Sequence, residues 1–340
     1  MKRRILIAGV VMCAVMVLSF GALTSYGADK VISLRYANMF PPASKISVIS
    51  DEWCKEVEKR TNGRVKVQYF PAASLSRPSE TYDDVMRGVV DIGMSWPGYT
   101  AGRFPLSEVI DLPLGYKSSY AATTMANAFF EKFKPKEYDG VKMMYLHTSP
   151  PHRLFTKKPV EKLEDLKGLK IRSTGTSAEV VKALGGVSVA MPMSDAYDAL
   201  QKGVADGIVG PFEPLVGWRL IDVVNDATLF SSAYVNAAYV VMNKDKWQSI
   251  SPEDQKIIEQ INQEWIEKEG KLWDQLEDEA RTLLLDKGKK VIQLPKEEDA
   301  RWTKLLQPVL TQYVEKMKGK GLPGQEALDF CIEYLKTHQK

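Results

Sequence analysis

The 340-residue chain carries 46 Lys and Arg residues against 43 Asp and Glu residues, and three of those cations lie at its start, at Lys2, Arg3 and Arg4. Without that N-terminal stretch the chain holds 43 residues of each sign and is formally neutral. This balance excludes the concentrated basic face that a nucleic-acid-binding protein requires.

The N-terminus has the pattern of a secretory signal peptide. The three cations precede an apolar run from Ile5 to Phe20, and Ser25 and Gly27 place small residues before a cleavage site after Gly27. The run is short for a membrane span of about 20 residues, so a retained anchor is the weaker alternative. We therefore expect residues 1–27 to be removed and the mature protein to lie in the periplasm.

The mature chain, of roughly 313 residues, exceeds one usual hydrophobic core and predicts two lobes. It keeps Cys54 and Cys331. Cys54 falls in a helical pattern, which favours a small buried apolar group over a reactive thiol. A disulfide between the two is permitted in an exported protein, but the sequence does not indicate one.

The first half of the mature chain predicts strands alternating with helices, which indicates a mainly parallel sheet covered by helices. The predicted strands cover 31–37, 65–71, 89–96 and 141–149. The predicted helices cover 44–61, 81–87 and 118–133. Pro150-Pro151 then suits a crossing between lobes.

The second half repeats the alternation. Strands are predicted at Arg153, 170–172, 187–192 and 205–211, with helices at 177–184 and 194–202. Thr176 and Glu179 have the spacing of a capping box at the start of the first of these helices. An apolar strand over 236–243 is expected to return the chain to the first lobe.

A long helix is predicted from Ser251-Pro252 to about Asp286, because Ile258, Trp265 and Leu272 keep a three-or-four-residue spacing. At about 1.5 Å per residue it would reach about 50 Å, and therefore span both lobes. A strand over 289–294 and helices near 297–318 and 324–336 close the chain. We assign residues 28–151 and about 237–270 to lobe 1, and residues 152–236 and about 271–340 to lobe 2.

Arg172 is the most informative charged residue. It lies at the carboxyl end of the strand pattern 169–171 and directly precedes a polar turn and a helix start. Ligands gather at the carboxyl ends of strands in α/β sheets, and a guanidinium beside a helix N-terminus favours a carboxylate. The alternative is a structural ion pair with Glu164 or Asp165, which is the usual fate of such charges.

The sequence shows none of the motifs that carry common chemistries, such as HExxH, GxGxxG, the P-loop, GxSxG or CxxC. His152 beside Arg153 is the one suggestive histidine, and we interpret it as an ordinary surface residue. The pattern favours binding over catalysis, with no cofactor and no metal. Reversible capture of an anion between two closing lobes is consistent with this inventory.

Four segments together resemble the solute receptors of tripartite ATP-independent periplasmic (TRAP) transporters, of the C4-dicarboxylate receptor type. They cover 53–65, 88–93, 164–172 and 197–207, and they follow the family's order over essentially the whole mature chain. The resemblance implies an α/β, two-lobed periplasmic-binding-protein-like fold, with mainly parallel sheets flanked by helices and one long helix spanning both lobes. It also implies an organic-acid ligand and TRAP permease membrane subunits as partners.

The resemblance implies that Arg172, in the Lys170-Ile171-Arg172 motif, clamps the ligand carboxylate, and that Arg153 is a second basic position in the pocket. Many relatives have an asparagine that touches ligand where this chain has Gly210. That departure argues against sialic-acid-like and small dicarboxylate ligands. Further ligand-binding residues are expected mainly near strand ends. They are Phe40, Trp96, Met193, Phe212, Glu213, Tyr234 and Asn236.

We therefore predict a periplasmic receptor that captures a small organic acid by its carboxylate and delivers it to a TRAP permease. The aromatic side chains near strand ends favour a monocarboxylate with an apolar or aromatic body. Two alternatives remain at this point. One is a secreted enzyme on the same two-lobed scaffold, and the other is a sensor module that presents the ligand to a signalling partner.

Overall fold

A computed structural model describes residues 31–339, and its residues from Ile32 onward form one compact unit. The predicted signal peptide and its cleavage after Gly27 therefore lie outside the described residues. Within that range, no helix combines the length and the apolar character needed to cross a membrane.

Apart from β9, which the sequence did not predict, the strands lie close to their predicted positions. They are β1 (Ile32–Ala37), β2 (Val65–Phe70), β3 (Ile92–Ser95), β4 (Val141–Thr148), β5 (Arg153–Thr156), β6 (Lys170–Arg172), β7 (Val187–Val189), β8 (Gly207–Gly210), β9 (Asp226–Leu229), β10 (Ala237–Asn243) and β11 (Lys290–Gln293). They form two sheets. The first has the order β2-β1-β3-β10-β4 and the second has the order β11-β9-β5-β8-β6-β7.

Each sheet is parallel except where the chain crosses between sheets. In the first sheet β1 runs parallel to β2 and β3, and β10 runs antiparallel to β3 and β4. In the second, β6 is parallel to β7 and β8, whereas β5 is antiparallel to β8 and β9. The exceptions, β5 and β10, are the strands entered directly from the other sheet, so they reverse the local direction.

The helices fill the intervals between strands, as expected for an α/β chain. They are α1 (Lys45–Arg60), α2 (Thr81–Met86), α3 (Ser119–Phe133), α4 (Leu163–Leu166), α5 (Thr176–Ala183), α6 (Ala196–Gln201), α7 (Pro214–Gly217), α8 (Lys244–Gln248), α9 (Pro252–Asp286), α10 (Lys296–Gly319) and α11 (Gly324–His338). The predicted capping box at α5 is wrong. Gly175 is the N-cap and no side chain caps that end, because Thr176 is already in the first turn.

The two crossings between sheets are hydrogen-bonded to each other and form a hinge. The Ser149 N–H donates to the Asn236 carbonyl at 2.9 Å, and the His152 N–H donates to the Tyr234 carbonyl at 2.7 Å. In return, the Asn236 N–H donates to Ser149 Oγ at 3.0 Å. The segment after β4 and the segment before β10 therefore run side by side where the chain passes from one sheet to the other.

The long helix is confirmed. α9 covers 35 residues, Pro252–Asp286, and Ser251 Oγ accepts from the Asp254 N–H at its start. It packs against α1, α3 and β4 of the first sheet's layer and also against α7 and β11 of the second. Its apolar side chains, including Trp265 and Trp273, enter the core that covers the first sheet. The sequence spacing predicted this because one helical face is apolar along its whole length.

The closing helices contact both halves of the molecule. α10 packs against α5 of the second sheet, and α11 packs against α3 beside the first. One apolar core includes Leu154 of the second sheet and Leu146 of the first together with Trp302 of α10. The assignment of residues 28–151 with 237–270 and of 152–236 with 271–340 to separate lobes stays a prediction. Cys54 and Cys331 are both buried and unpaired.

Candidate functional site

A small cavity of about 50 Å³ lies where loops from both sheets meet the hinge, and we call it the central cavity. The first sheet's loops contribute aromatic side chains, the second sheet's contribute Arg172 and Glu213, and the hinge contributes Ser149, His152 and Asn236. Among the described residues, three buried side-chain atoms that have no hydrogen-bond partner belong to residues lining this cavity: His152 Nδ1, Arg172 Nη2 and Glu213 Oε2. Such atoms are rare in folded proteins, so their clustering indicates a binding site.

Arg172 projects from the carboxyl end of β6 into the central cavity. It is only 5% exposed, and its Nε donates to the Met191 carbonyl at 3.0 Å. Its Nη2 is buried without a hydrogen-bond partner. Among the described residues no carboxylate lies within 4.0 Å of the guanidinium, so the alternative of an ion pair with Glu164 or Asp165 is not what this structure has. Glu164 pairs instead with Arg301 at 2.6 Å.

His152 is 4% exposed, so its interpretation as a surface histidine is wrong. Burial, together with the nearby charges of Arg172 and Arg153, lowers the pKa of His152 to about 3, and the ring is neutral. Ser149 Oγ accepts the Asn236 N–H and lies 3.0 Å from His152 Nε2. We assign the ring hydrogen to Nδ1, which has no partner, so that Nε2 accepts from the Ser149 hydroxyl.

Two further polar groups lie at the hinge. The Tyr234 ring is 4.6 Å from the His152 ring, and its buried hydroxyl has no partner. Asn236 lines the cavity, but its Nδ2 donates to Asp111 Oδ2 at 2.7 Å. Burial raises the pKa of Asp111 to about 7, against the opposing effect of the Ala237 and Asn236 N–H groups. The Asn236 side chain therefore already has a hydrogen-bond partner within the protein, whereas the Tyr234 hydroxyl and His152 Nδ1 have none.

The remaining wall is aromatic. Phe40 has its ring centroid 5.9 Å from both Trp218 and Trp273, and Trp96 lies 6.5 Å from Trp273. Phe40 and Trp96 were predicted from strand ends. Trp218 and Trp273 were not, because they lie past α7 and in the middle of α9, where sequence gives no sign of a pocket. The one sequence signal that could have pointed to Trp273 is its place in a helix that spans both lobes, and Trp218 has only its place in a loop.

The two sheets approach each other closely around this wall. The Met193 N–H donates to Tyr99 Oη at 3.3 Å, which joins a loop of the second sheet to one of the first. A Cβ placed on Gly175, which has a φ of +54°, would lie 2.8 Å from Gly98 Cα. Position 175 therefore requires glycine for two reasons: its φ is positive, and its backbone contacts the backbone of Gly98. The structure therefore has the lobes closed over the cavity.

Glu213 also lines the central cavity. It is 4% exposed, and its Oε2 is buried without a partner. Burial raises the pKa of Glu213 to about 8, so the group is mainly neutral at pH 7. Nearby Gly210 lines the cavity as well, and a Cβ there would meet nothing within 4 Å. The absence of a side chain at Gly210 therefore leaves space inside the site.

Arg153 does not reach the central cavity, which corrects the expectation that it belongs to the same pocket. It lines a separate space of about 370 Å³ with Glu277, Arg281 and other charged residues, which we call the charged pocket. Phe212 is also elsewhere, since its ring packs edge-on against Phe155 at 5.0 Å in the core. Both Arg153 and Phe212 line the charged pocket.

A larger groove of about 1100 Å³ lies between α3, β4 and α9. Lys142 and Glu259 in it pair with each other at 2.8 Å, and the groove is open to solvent. The groove is large, but none of the charged side chains that line it has a buried atom without a hydrogen-bond partner. We therefore regard the central cavity as the functional site. Among the described residues no group of three or more His, Cys, Asp or Glu side chains could hold a metal ion.

Comparisons with known proteins agree with this geometry. A family model described as DctP, bacterial extracellular solute-binding protein family 7, matches residues 39–317. A protein of Comamonas testosteroni named "Outer membrane transporter protein TsaT" is 28% identical over 85% of this chain and 87% of its own length.

Two solved structures are also similar. A TRAP solute-binding protein from Rhodoferax ferrireducens in complex with copurified benzoate has a TM-score of 0.86 and 26% identity, over 91% of this chain and 99% of that one. A marine-metagenome TRAP solute-binding protein specific for aromatic acid ligands, in complex with metahydroxyphenylacetate, has a TM-score of 0.87 and 28% identity, over 91% and 100%. The two-lobed α/β prediction is thereby confirmed.

Proposed function

The chain belongs to the bacterial extracellular solute-binding protein family 7, and from this premise we propose that it is the periplasmic receptor of a TRAP transporter for an aromatic monocarboxylate. Members of this family bind small organic acids and work with membrane permease subunits. The receptor would close its two lobes on the acid and deliver it, unchanged, to the permease. The signal peptide predicted over residues 1–27 would carry it to the periplasm.

One observation carries the proposal, the buried guanidinium of Arg172 with Nη2 unpartnered. A buried polar group without a partner costs free energy, and a carboxylate is the group that a guanidinium fork matches best. The Nδ1 hydrogen of His152 and the hydroxyl of Tyr234 are two further buried, unpartnered donors at the hinge. We propose that these three groups hold the ligand carboxylate.

The aromatic wall supports an aromatic body for the ligand. Rings of Phe40, Trp96, Trp218 and Trp273 line the cavity, and edge-to-face contact with such rings favours an aromatic guest. Arg172 is the cationic side chain lining the cavity, so the site suits one carboxylate rather than two. The benzoate and metahydroxyphenylacetate complexes of the related proteins agree with that assignment.

The test is equilibrium binding of benzoate, phenylacetate and a C4-dicarboxylate to the mature protein by calorimetry. We expect the aromatic acids to bind and the dicarboxylate to bind much more weakly. Tight dicarboxylate binding without aromatic-acid binding would refute the proposed ligand class. Mass spectrometry of the small molecule that denaturation releases from freshly purified protein would name the acid directly. The same spectra would report any product, which a receptor does not form and an enzyme would.

A further inference from the structure

Glu213 is the third ionisable group of the central cavity with an unpartnered atom, after Arg172 and His152, and capture of a carboxylate does not use it. It stands at the start of α7, directly after the loop that follows β8. Among the described residues no Lys, Arg or His nitrogen lies within 4.0 Å of its carboxyl, and Oε2 accepts no hydrogen bond. The side chain lies across Gly217, where an added Cβ would be 2.1 Å from Glu213 Oε1.

The surroundings of Glu213 determine what could satisfy it. Burial favours the protonated carboxyl, which can both donate and accept a hydrogen bond. A second ligand carboxylate would need a second guanidinium, but Arg153 lies in the charged pocket and the His152 ring is neutral. A ligand hydroxyl needs no counter-charge, and it can accept from Glu213 Oε2 or donate to it.

We infer that Glu213 is a specificity-determining residue that hydrogen-bonds a hydroxyl group of the ligand, so that the receptor prefers hydroxylated aromatic monocarboxylates to their unsubstituted analogues. This inference rests on the proposed function, since it requires a carboxylate held by Arg172 at the same time. The physical reason for the preference is that an analogue without the hydroxyl leaves the buried carboxyl of Glu213 without a partner.

The first test uses the wild-type mature protein and four acids of nearly equal size: phenylacetate, 3-hydroxyphenylacetate, mandelate and phenylglycine. We expect at least one of the two hydroxy acids to bind about 10–100-fold more tightly than phenylacetate by calorimetry. Equal dissociation constants for phenylacetate and both hydroxy acids would overturn the inference. Tighter binding of phenylglycine than of mandelate would also overturn it, because Glu213 would then be an ionised partner for an ammonium group.

Variants then ask whether Glu213 causes the preference. Glu213→Leu should bring the ratio between hydroxylated and unsubstituted acid toward one, and Glu213→Gln should keep most of it because an amide also donates and accepts. Gly217→Ala should lower the ratio without altering Glu213 itself, since its Cβ would displace the carboxyl. Val216→Ala, at a 51% exposed position of the same helix, is the matched control. An unchanged ratio in both Glu213→Leu and Gly217→Ala refutes the inference.

Failure of the inference and failure of the proposed function are separable. If Glu213→Leu does not fold, the wild-type ratios with the Glu213→Gln and Gly217→Ala results decide the matter. If Arg172→Ala retains full affinity for every acid, or if wild-type protein binds none of the four, the proposed function itself is refuted. If Arg172→Ala abolishes binding but hydroxylation makes no difference, only the role of Glu213 is refuted.

Discussion

Two arginines of the second sheet, the buried Arg172 and the partly buried Arg153, have opposite surroundings. Arg172 lies in the central cavity, where Nη2 has no partner and the neighbouring rings are apolar or neutral. Arg153 lies in the charged pocket, donates to the His152 carbonyl at 3.1 Å and feels the charge of Glu277. The sequence presents both as basic residues at strands. The structure separates them, because Arg153 lies near Glu277 whereas no carboxylate of the described residues pairs with Arg172, which leaves Arg172 as the candidate anion site.

The strongest way to break this comparison is Arg172→Ala. We expect the affinity for the aromatic acid to fall by about 2–5 kcal/mol, because a charge-assisted contact to the carboxylate is lost. The melting temperature of the ligand-free protein should stay nearly constant, since the guanidinium makes one hydrogen bond and no ion pair in the described structure. Calorimetry and thermal unfolding measure the two quantities.

Arg172→Lys is the matched control for charge. It should also bind poorly, because an ammonium cannot reproduce the planar fork. An alanine variant that binds normally but unfolds readily would show instead that Arg172 is structural, and the comparison between the two arginines would fail.

The reverse outcome is expected for Arg153→Ala. The free energy of unfolding should fall by about 1–2 kcal/mol, since the variant loses a partly buried hydrogen bond and leaves Glu277 without its nearby cation. Affinity for the acid should change by less than about threefold, which is below 1 kcal/mol. Urea unfolding and calorimetry on the same samples test both. A loss of affinity as large as that of Arg172→Ala would place Arg153 in the binding site after all.

A smaller effect concerns the pH dependence of stability. Burial raises the pKa of Glu277 to about 8, against the opposing effects of Arg153 and the Phe212 N–H. The folded state therefore keeps this proton, which the unfolded state loses near pH 4.5, so stability declines as pH rises through the window up to about 8. A full proton difference corresponds to about 1.4 kcal/mol per pH unit.

Glu277→Gln should make the loss of stability between pH 6.5 and 8 less steep, as measured by urea unfolding at both values. Some slope should remain, because burial also raises the pKa values of Glu213 and Glu269 to about 8. The buried histidines contribute with the opposite sign at the lower end of this window, since the pKa values of His147 and His152 are lowered to about 3 in the folded state while the unfolded state still takes up protons near pH 6.5. Their contribution is common to the wild type and the variant. A slope that is unchanged in the variant would mean that Glu277 is ionised beside Arg153.

The smallest effect is expected for Arg301→Ala. This arginine pairs with Glu164 and Glu298 at 2.6 Å, but its side chain is 49% exposed and the pairs are screened by solvent. Neither the melting temperature nor the affinity should change beyond measurement error. A marked fall in the melting temperature of Arg301→Ala would contradict the comparison, because it would mean that an exposed arginine stabilises the fold as much as the partly buried Arg153 does.

Much of the fold could be predicted because its signals are local. Apolar spacing gave the long helix its bounds at Pro252 and Asp286, and the strands over 141–148 and 237–243 followed from short apolar runs. The Thr176 capping box failed because the helix begins one residue early, at Thr176, with Gly175 as its N-cap, and the positive φ of Gly175 serves the close approach to Gly98 instead. A tertiary contact there overrode a local propensity.

The site was predicted less completely. Position near a strand led to Arg172, Arg153 and Phe212 alike, but it does not say which cavity a side chain lines: Arg172 lines the central cavity, and the other two line the charged pocket. Trp218 and Trp273 were missed, since a loop tryptophan and a mid-helix tryptophan look like core residues until the lobes are closed. His152 was taken as exposed because nothing in its sequence neighbourhood reports the hinge that buries it.

The sequence alone determined the α/β alternation, the bridging helix and the family, and it singled out Arg172 as the candidate anion site, because each depends on residues near one another in the chain or on a fixed motif. Only the tertiary structure decided which buried polar groups lack a partner: Arg172, His152 and Glu213 in the central cavity. The physical reason is that hydrogen-bond satisfaction is a property of the neighbours brought in by folding, and those neighbours come from distant strands, the hinge and α9.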